Sequence, residues 1–109
     1  MTTREERIAL NEALFRQVNE RVAELLTDLG DSSASIEIFC ECGAGDCTEK
    51  IPVGRQVYER VREHPACFLI VTGHQMTDVE RLVESGDTFQ IVEKHDEEAV
   101  IARATDPRS

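Results

Sequence analysis

Large aromatic side chains are scarce in this 109-residue sequence, which has no tryptophan, one tyrosine and four phenylalanines. At this length a core is marginal unless a metal or an oligomer interface supplements it. Basic residues are also few, 12 against 22 acidic ones, for a formal charge of -10. That balance excludes the simplest nucleic-acid reading, because phosphate binding needs a Lys/Arg surface that releases counterions. No apolar run approaches the roughly 20 residues that span a bilayer, so no membrane association is expected. The opening residues, Met1-Thr2-Thr3-Arg4-Glu5-Glu6, are too acidic and polar for a signal peptide. The chain is therefore expected in the cytoplasm, where thiols stay reduced and cysteines serve metal or redox chemistry more often than disulfides.

Forty per cent of the residues are hydrophobic, enough for one small domain. Residues 3 to 29 read as a long amphipathic helix opened by a capping box, Thr3 with Glu6. Ile8, Phe15, Val18, Val22, Leu25 and Leu29 recur at heptad-like spacing, with Asn11 in the remaining seam position. A helix of about 40 Å exceeds what a small sheet covers. The seam is thus expected to pack on the chain's own sheet or to meet a protein partner or a second copy in a homodimer.

The remainder alternates between strand and helix signals. Ile36, Ile38, Cys40 and Cys42 alternate with polar residues as in a strand, and Gly43 to Asp46 form a turn. Ile51 to Val53 are extended, Arg55 to Glu63 helical, and the apolar run Cys67 to Thr72 forms a buried strand before a Gly73-His74 turn. Thr77 and Glu80 repeat the capping-box pattern and predict a helix stopped by Gly86. Phe89 to Glu93 read as a strand. Glu97 to Ala104 read as a helix, with Ala99-Val100-Ile101 as a return strand the alternative. The expected fold is α/β (α+β), a long amino-terminal helix packed on a small sheet of three to four strands with short helices. Within that single domain, residues 1–30 are the helix, 31–105 a zinc-stabilised core and 106–109 a frayed tail.

Chemistry concentrates at Cys40-Glu41-Cys42-Gly43-Ala44-Gly45-Asp46-Cys47, a C-x-C-x4-C cluster holding three of the four cysteines. Sulfurs on one tetrahedral zinc lie within about 4 Å of each other, and a strand followed by a glycine turn delivers that. The candidate fourth ligands are His74, Cys67, His64 and His95. His74 is favoured because it follows the end of a buried strand. Cys67 opens that strand, roughly 20 Å away if fully extended, and suits the core. His64 sits at a helix end, and His95 among acidic residues suits the surface. The expected metal set is Cys40, Cys42, Cys47 and His74.

The C-x-C-x4-C spacing is similar to the zinc-binding motif that follows the catalytic domain of SET-type methyltransferases, where three cysteines share zinc with a fourth ligand from elsewhere. Only residues 40–47 match, so the resemblance implies a geometry and no methyl transfer. More broadly the chain resembles a family of small bacterial proteins of uncharacterised function. That resemblance rests on Asn11 to Arg16 with Val18-Asn19-Glu20, the segment from Cys40 to Cys47, Gly73-His74 and Val92-Glu93-Lys94. It implies no activity, and Gln75 stands where that group leads one to expect a glutamate.

Signatures of metal hydrolases, deaminases, phosphate loops and serine nucleophiles are missing. Glu41 and Glu49 flank the cysteines as the available bases. Three thiolates and one imidazole would close a zinc site and leave no activated water. The function expected is a small zinc-binding interaction or regulatory protein without catalytic activity of its own. The alternatives are a zinc-thiolate redox switch or a small zinc enzyme with an open fourth position.

Overall fold

A computed structural model describes residues 3–30, 34–44, 47–75 and 80–108. Helix α1 spans Arg4–Asp28. Thr3 caps it by accepting from the Glu6 N–H at 3.1 Å, and Gly30, at φ 79°, ends it in the left-handed region. Strands β1 (Ser35–Phe39) and β2 (Lys50–Gly54) pair antiparallel, with Ile36 opposite Val53 and Ile38 opposite Ile51 on the buried face. Helix α2 (Arg55–Arg62) leads into β3 (Cys67–Val71). Strands β4 (Glu80–Ser85) and β5 (Phe89–Lys94) complete a second antiparallel sheet in the order β3-β5-β4, and α3 (Asp96–Ala104) follows. The mixed α/β class is as expected, but among the described residues five strands divide into sheets of two and three, not one small sheet.

Two local expectations are corrected. The helix predicted from the Thr77–Glu80 pattern is strand β4 from Glu80 onward, while Thr77 lies outside the described residues. Glu80 lies in a strand and not at a helix start. It is buried opposite Lys94, and pairing with β5 overrides the local helix signal. The first strand stops at Phe39 and not at Cys42, because the chain leaves its β2 partner near Cys40. Residues 99–101 lie within α3, so the return-strand alternative does not form. The segment expected as a loose tail carries Arg108, whose guanidinium forks onto Glu20 at 2.8 and 3.0 Å and reaches Glu59 at 2.7 Å.

The largest difference concerns which face of α1 is covered. Its buried positions are Ile8, Ala9, Glu12, Ala13, Arg16, Asn19 and Glu20, four of them polar or charged. The apolar seam read from the sequence is split: Ile8 is buried, Phe15, Val18 and Val22 are half-buried, and Leu25 and Leu29 are exposed. Asn11, in the remaining seam position, donates to the Gly43 carbonyl at 3.1 Å.

Each buried polar side chain on α1 reaches at least one distant partner. Asn19 mimics a strand edge on β1, accepting from the Phe39 N–H at 2.8 Å and donating to the Phe39 carbonyl at 2.9 Å. Its amide nitrogen also donates to the Glu41 carboxylate at 2.7 Å. Arg16 lies over the Phe68 ring and donates to the carbonyls of Pro65 and Ala102. Glu41, fully buried, takes a two-pronged guanidinium from Arg62 at 2.8 and 3.2 Å. Lys94, also buried, sits 2.5 Å from Glu12 and pairs with Glu80 as well.

Two predictions follow from these networks. Arg62→Met leaves the buried Glu41 charge without its counter-ion and is expected to cost about 3–5 kcal/mol. Glu41→Gln added to that variant keeps an acceptor for its other donors and should recover part of the loss, measured by urea unfolding. The second concerns pH. Two carboxylates share one ammonium, and burial pushes Glu12 from 4.5 up to about 8 despite Lys94. A carboxyl whose folded pKa is raised contributes stability that is full below about 4.5 and lost as pH rises through about 8. Wild-type protein should therefore lose stability between pH 5 and 8 by this route. Glu12→Gln should flatten that slope in paired unfolding curves, and an unaltered slope would assign it to other groups.

Candidate metal centre

The site forms where the chain crosses from one sheet to the other. The Cys40 N–H donates to the Glu49 carbonyl at 2.8 Å, one step beyond the β1–β2 ladder. The next residue changes partner: the Glu41 N–H donates to the Leu69 carbonyl at 2.8 Å, on the β3 edge away from β5. That edge is completed by side chains. The Leu69 N–H donates to the Glu41 carboxylate at 2.9 Å, and the Val71 N–H donates to the Cys40 sulfur at 3.2 Å. Glu41 thus enters the Arg62 network while Cys40 and Cys42, on either side of it, join a separate cluster.

Two turns bring the remaining groups in. Gly43, at φ 80°, turns the chain against α1. A Cβ there would lie 2.7 Å from Ile8 Cγ2 and 2.9 Å from Glu12 Cγ, so only glycine allows the loop to seat on the helix. Gly45 and Asp46 fall outside the described residues. The Cys47 N–H donates to the Ala44 carbonyl at 3.1 Å. On the other side the chain turns after β3, with the His74 N–H on the Val71 carbonyl at 3.0 Å and Gly73 at φ 94°.

One ligand atom from each of Cys40, Cys42, Cys47 and His74 lies within 4.8 Å of all the others, and together they could hold a metal ion. The His74 Nδ1 is 3.5 Å from the Cys40 sulfur and 3.8 Å from that of Cys47. Its Nε2 lies 2.9 Å from a Glu49 carboxylate oxygen. A carboxylate on Nε2 favours the tautomer with its proton there and leaves the Nδ1 lone pair directed at the sulfurs, as a metal-bound histidine requires. The Cys40–Cys42 pair divides one proton unequally. Their mutual hydrogen bond, reinforced by burial, pushes the Cys40 thiol up, while the same bond holds Cys42 down to about 4. Burial also raises Cys47. A cation bound here would have to displace the thiol protons.

The four residues expected from the sequence are the ones brought together. Cys67, His64 and His95 are not part of the group. Cys67 is a buried member of the core at the start of β3, and burial raises its thiol. Glu49 was weighed as a base, and the geometry places it on the imidazole of His74. Glu41, weighed in the same way, has its carboxylate occupied by Arg62, Asn19 and the Leu69 N–H. No helix of the described residues is long and apolar enough to cross a membrane. No family model, curated protein or solved structure matches the chain.

The seating of the loop gives a direct test. Gly30 and Gly43 share a left-handed φ near 80°, yet a Cβ at Gly30 meets nothing within 4 Å. Gly30→Ala should cost about 1 kcal/mol of backbone strain. Gly43→Ala adds collisions with Ile8 and Glu12 and should cost about 1–3 kcal/mol more. Equal losses in thermal melts would show that the loop does not depend on its contact with α1.

Proposed function

We propose that the protein is a small zinc-stabilised interaction or regulatory protein, with a structural site made of Cys40, Cys42, Cys47 and His74. The observation that carries this reading is the orientation of His74, with Nδ1 on the sulfur side and Nε2 held by Glu49. A surface histidine needs neither, whereas a metal ligand uses both. Three thiolates and an imidazole suit zinc among the common divalent metals. Four protein donors fill a tetrahedron, so bound zinc would have no open position for water and would serve the fold.

The ligands come from both sides of the sheet-to-sheet crossing, three from the β1–β2 connection and one from the turn after β3. Zinc there would act as a covalent-strength staple between sheets of two and three strands, the kind of support a domain this small uses. The interaction role rests on the acidic surface and on apolar side chains left exposed along α1.

Elemental analysis should find about one zinc per chain. Cys42→Ser should lose it together with much of the thermal stability. Glu49→Gln should keep the stoichiometry but release zinc to a chelator about 10–100-fold more readily, while His95→Ala should behave as wild type. Metal-free protein that melts as the loaded protein does would overturn the proposal.

A further inference from the structure

The side of α1 turned away from the core carries Arg7, Leu10, Leu14, Gln17, Arg21, Leu25 and Asp28. These positions are spaced by three or four and all are exposed. They form one continuous stripe opposite the buried face. Three leucines on it are about half exposed, Leu10 at 50%, Leu14 at 55% and Leu25 at 44%. Val100 of α3, 64% exposed, lies with Ile101 beside Leu10 and widens the apolar end. Solvated helix faces are usually polar, so leucines repeated along one call for a covering surface.

The charges on the stripe indicate what covers it. Arg7 stands near its start and Asp28 at its end, and neither side chain has an ion-pair partner among the described residues. In a second copy running antiparallel about a two-fold axis near residues 17 and 18, each position meets the one whose number brings the sum to 35. Arg7 then meets Asp28, Leu10 meets Leu25, and Leu14 meets Arg21, whose aliphatic stem can lie along it. Both ends repeat by symmetry, so the stripe is complementary to itself, as a two-fold interface must be. A parallel pairing would set Arg7 against Arg7 and Asp28 against Asp28. Although the chain carries -10 overall, this stripe holds two arginines and one aspartate, with Glu6 and Glu24 exposed beside it and Glu24 paired to Arg21 at 3.3 Å.

We infer that the outer face of α1 is a self-association surface, and that its partner is a second copy of this chain packed antiparallel helix to helix. This rests on the reading of the protein as an interaction module and does not require the metal. Sedimentation equilibrium of the zinc-loaded protein at physiological salt should show a monomer–dimer equilibrium. Leu10→Glu with Leu25→Glu should abolish the dimer, and because both sites are exposed the variant should keep its zinc and melting temperature.

The charge swap is the decisive arm. Arg7→Glu alone and Asp28→Arg alone each create two like-charge contacts per dimer and should weaken association about tenfold. The double variant Arg7→Glu/Asp28→Arg restores opposite charges across the axis and should return it to near the wild-type value. A wild type that stays monomeric at every concentration overturns the inference, as does a dimer whose affinity ignores the swap. Zinc content read on the same samples separates that outcome from a failure of the metal reading.

Discussion

The carboxylate of Glu41 is the point on which the rest of the structure depends. One fully buried side chain receives Arg62 from α2, Asn19 from α1 and the backbone of Leu69 in β3. Three elements separated along the chain by more than 20 residues on either side are thereby fixed to a residue lying between two cysteines of the cluster. A charge removed from water is stabilised only if its partners are already placed, so the network either forms together or not at all. Its geometric consequence is that Cys40 and Cys42 are held on a strut braced from behind. The positions of their sulfurs therefore depend on the fold as a whole more than on the loop that follows.

The same logic explains why α1 buries a polar face. Arg16, Asn19 and Glu12 do not simply tolerate burial; each supplies hydrogen bonds or charge that the neighbouring backbone or lysine lacks. Asn19 serves the end of β1, Arg16 the carbonyls at Pro65 and Ala102, and Glu12 the buried ammonium of Lys94. Division into two small sheets leaves more strand ends and free edges than one larger sheet would, and their N–H and C=O groups need acceptors and donors. The helix meets that demand with side chains. Apolar residues are correspondingly displaced to its flank and outer face.

This displacement is also why the sequence was legible in parts. The helices and most strands could be read from local signals, because caps, alternation and glycine stops act within a few residues. Cys40, Cys42, Cys47 and His74 were readable because spacing and strand-end placement are local cues to a shared site. What could not be read was long-range. Arg16 bonds to residues 49 and 86 positions away, and nothing near Arg16 distinguishes it from a solvated arginine. Hydrophobic periodicity points an apolar stripe at a core or a partner, whereas the inward contact of α1 here includes ion pairs and amides. Strand β4 was misread for a related reason: Glu80 looks like a capping residue until its partner Lys94, 14 residues on, is considered.

Buried ion pairs favour one arrangement over others more than they add net stability, since desolvation offsets much of their attraction. A fold that joins its elements through Glu41, Arg62, Lys94 and Glu12 therefore gains specificity more than net stability. The cysteine cluster sits at the crossing between sheets, where, among the described residues, β3 is met by one backbone hydrogen bond from Glu41 together with side-chain acceptors. A metal held by the four ligands would add strength along the one seam that the polar network positions without reinforcing. The network sets the ligands in place and the ion would hold the seam closed. With a metal bound, Glu41 and the cysteines on either side of it would divide two tasks, placement and cohesion, between alternate residues of one short segment.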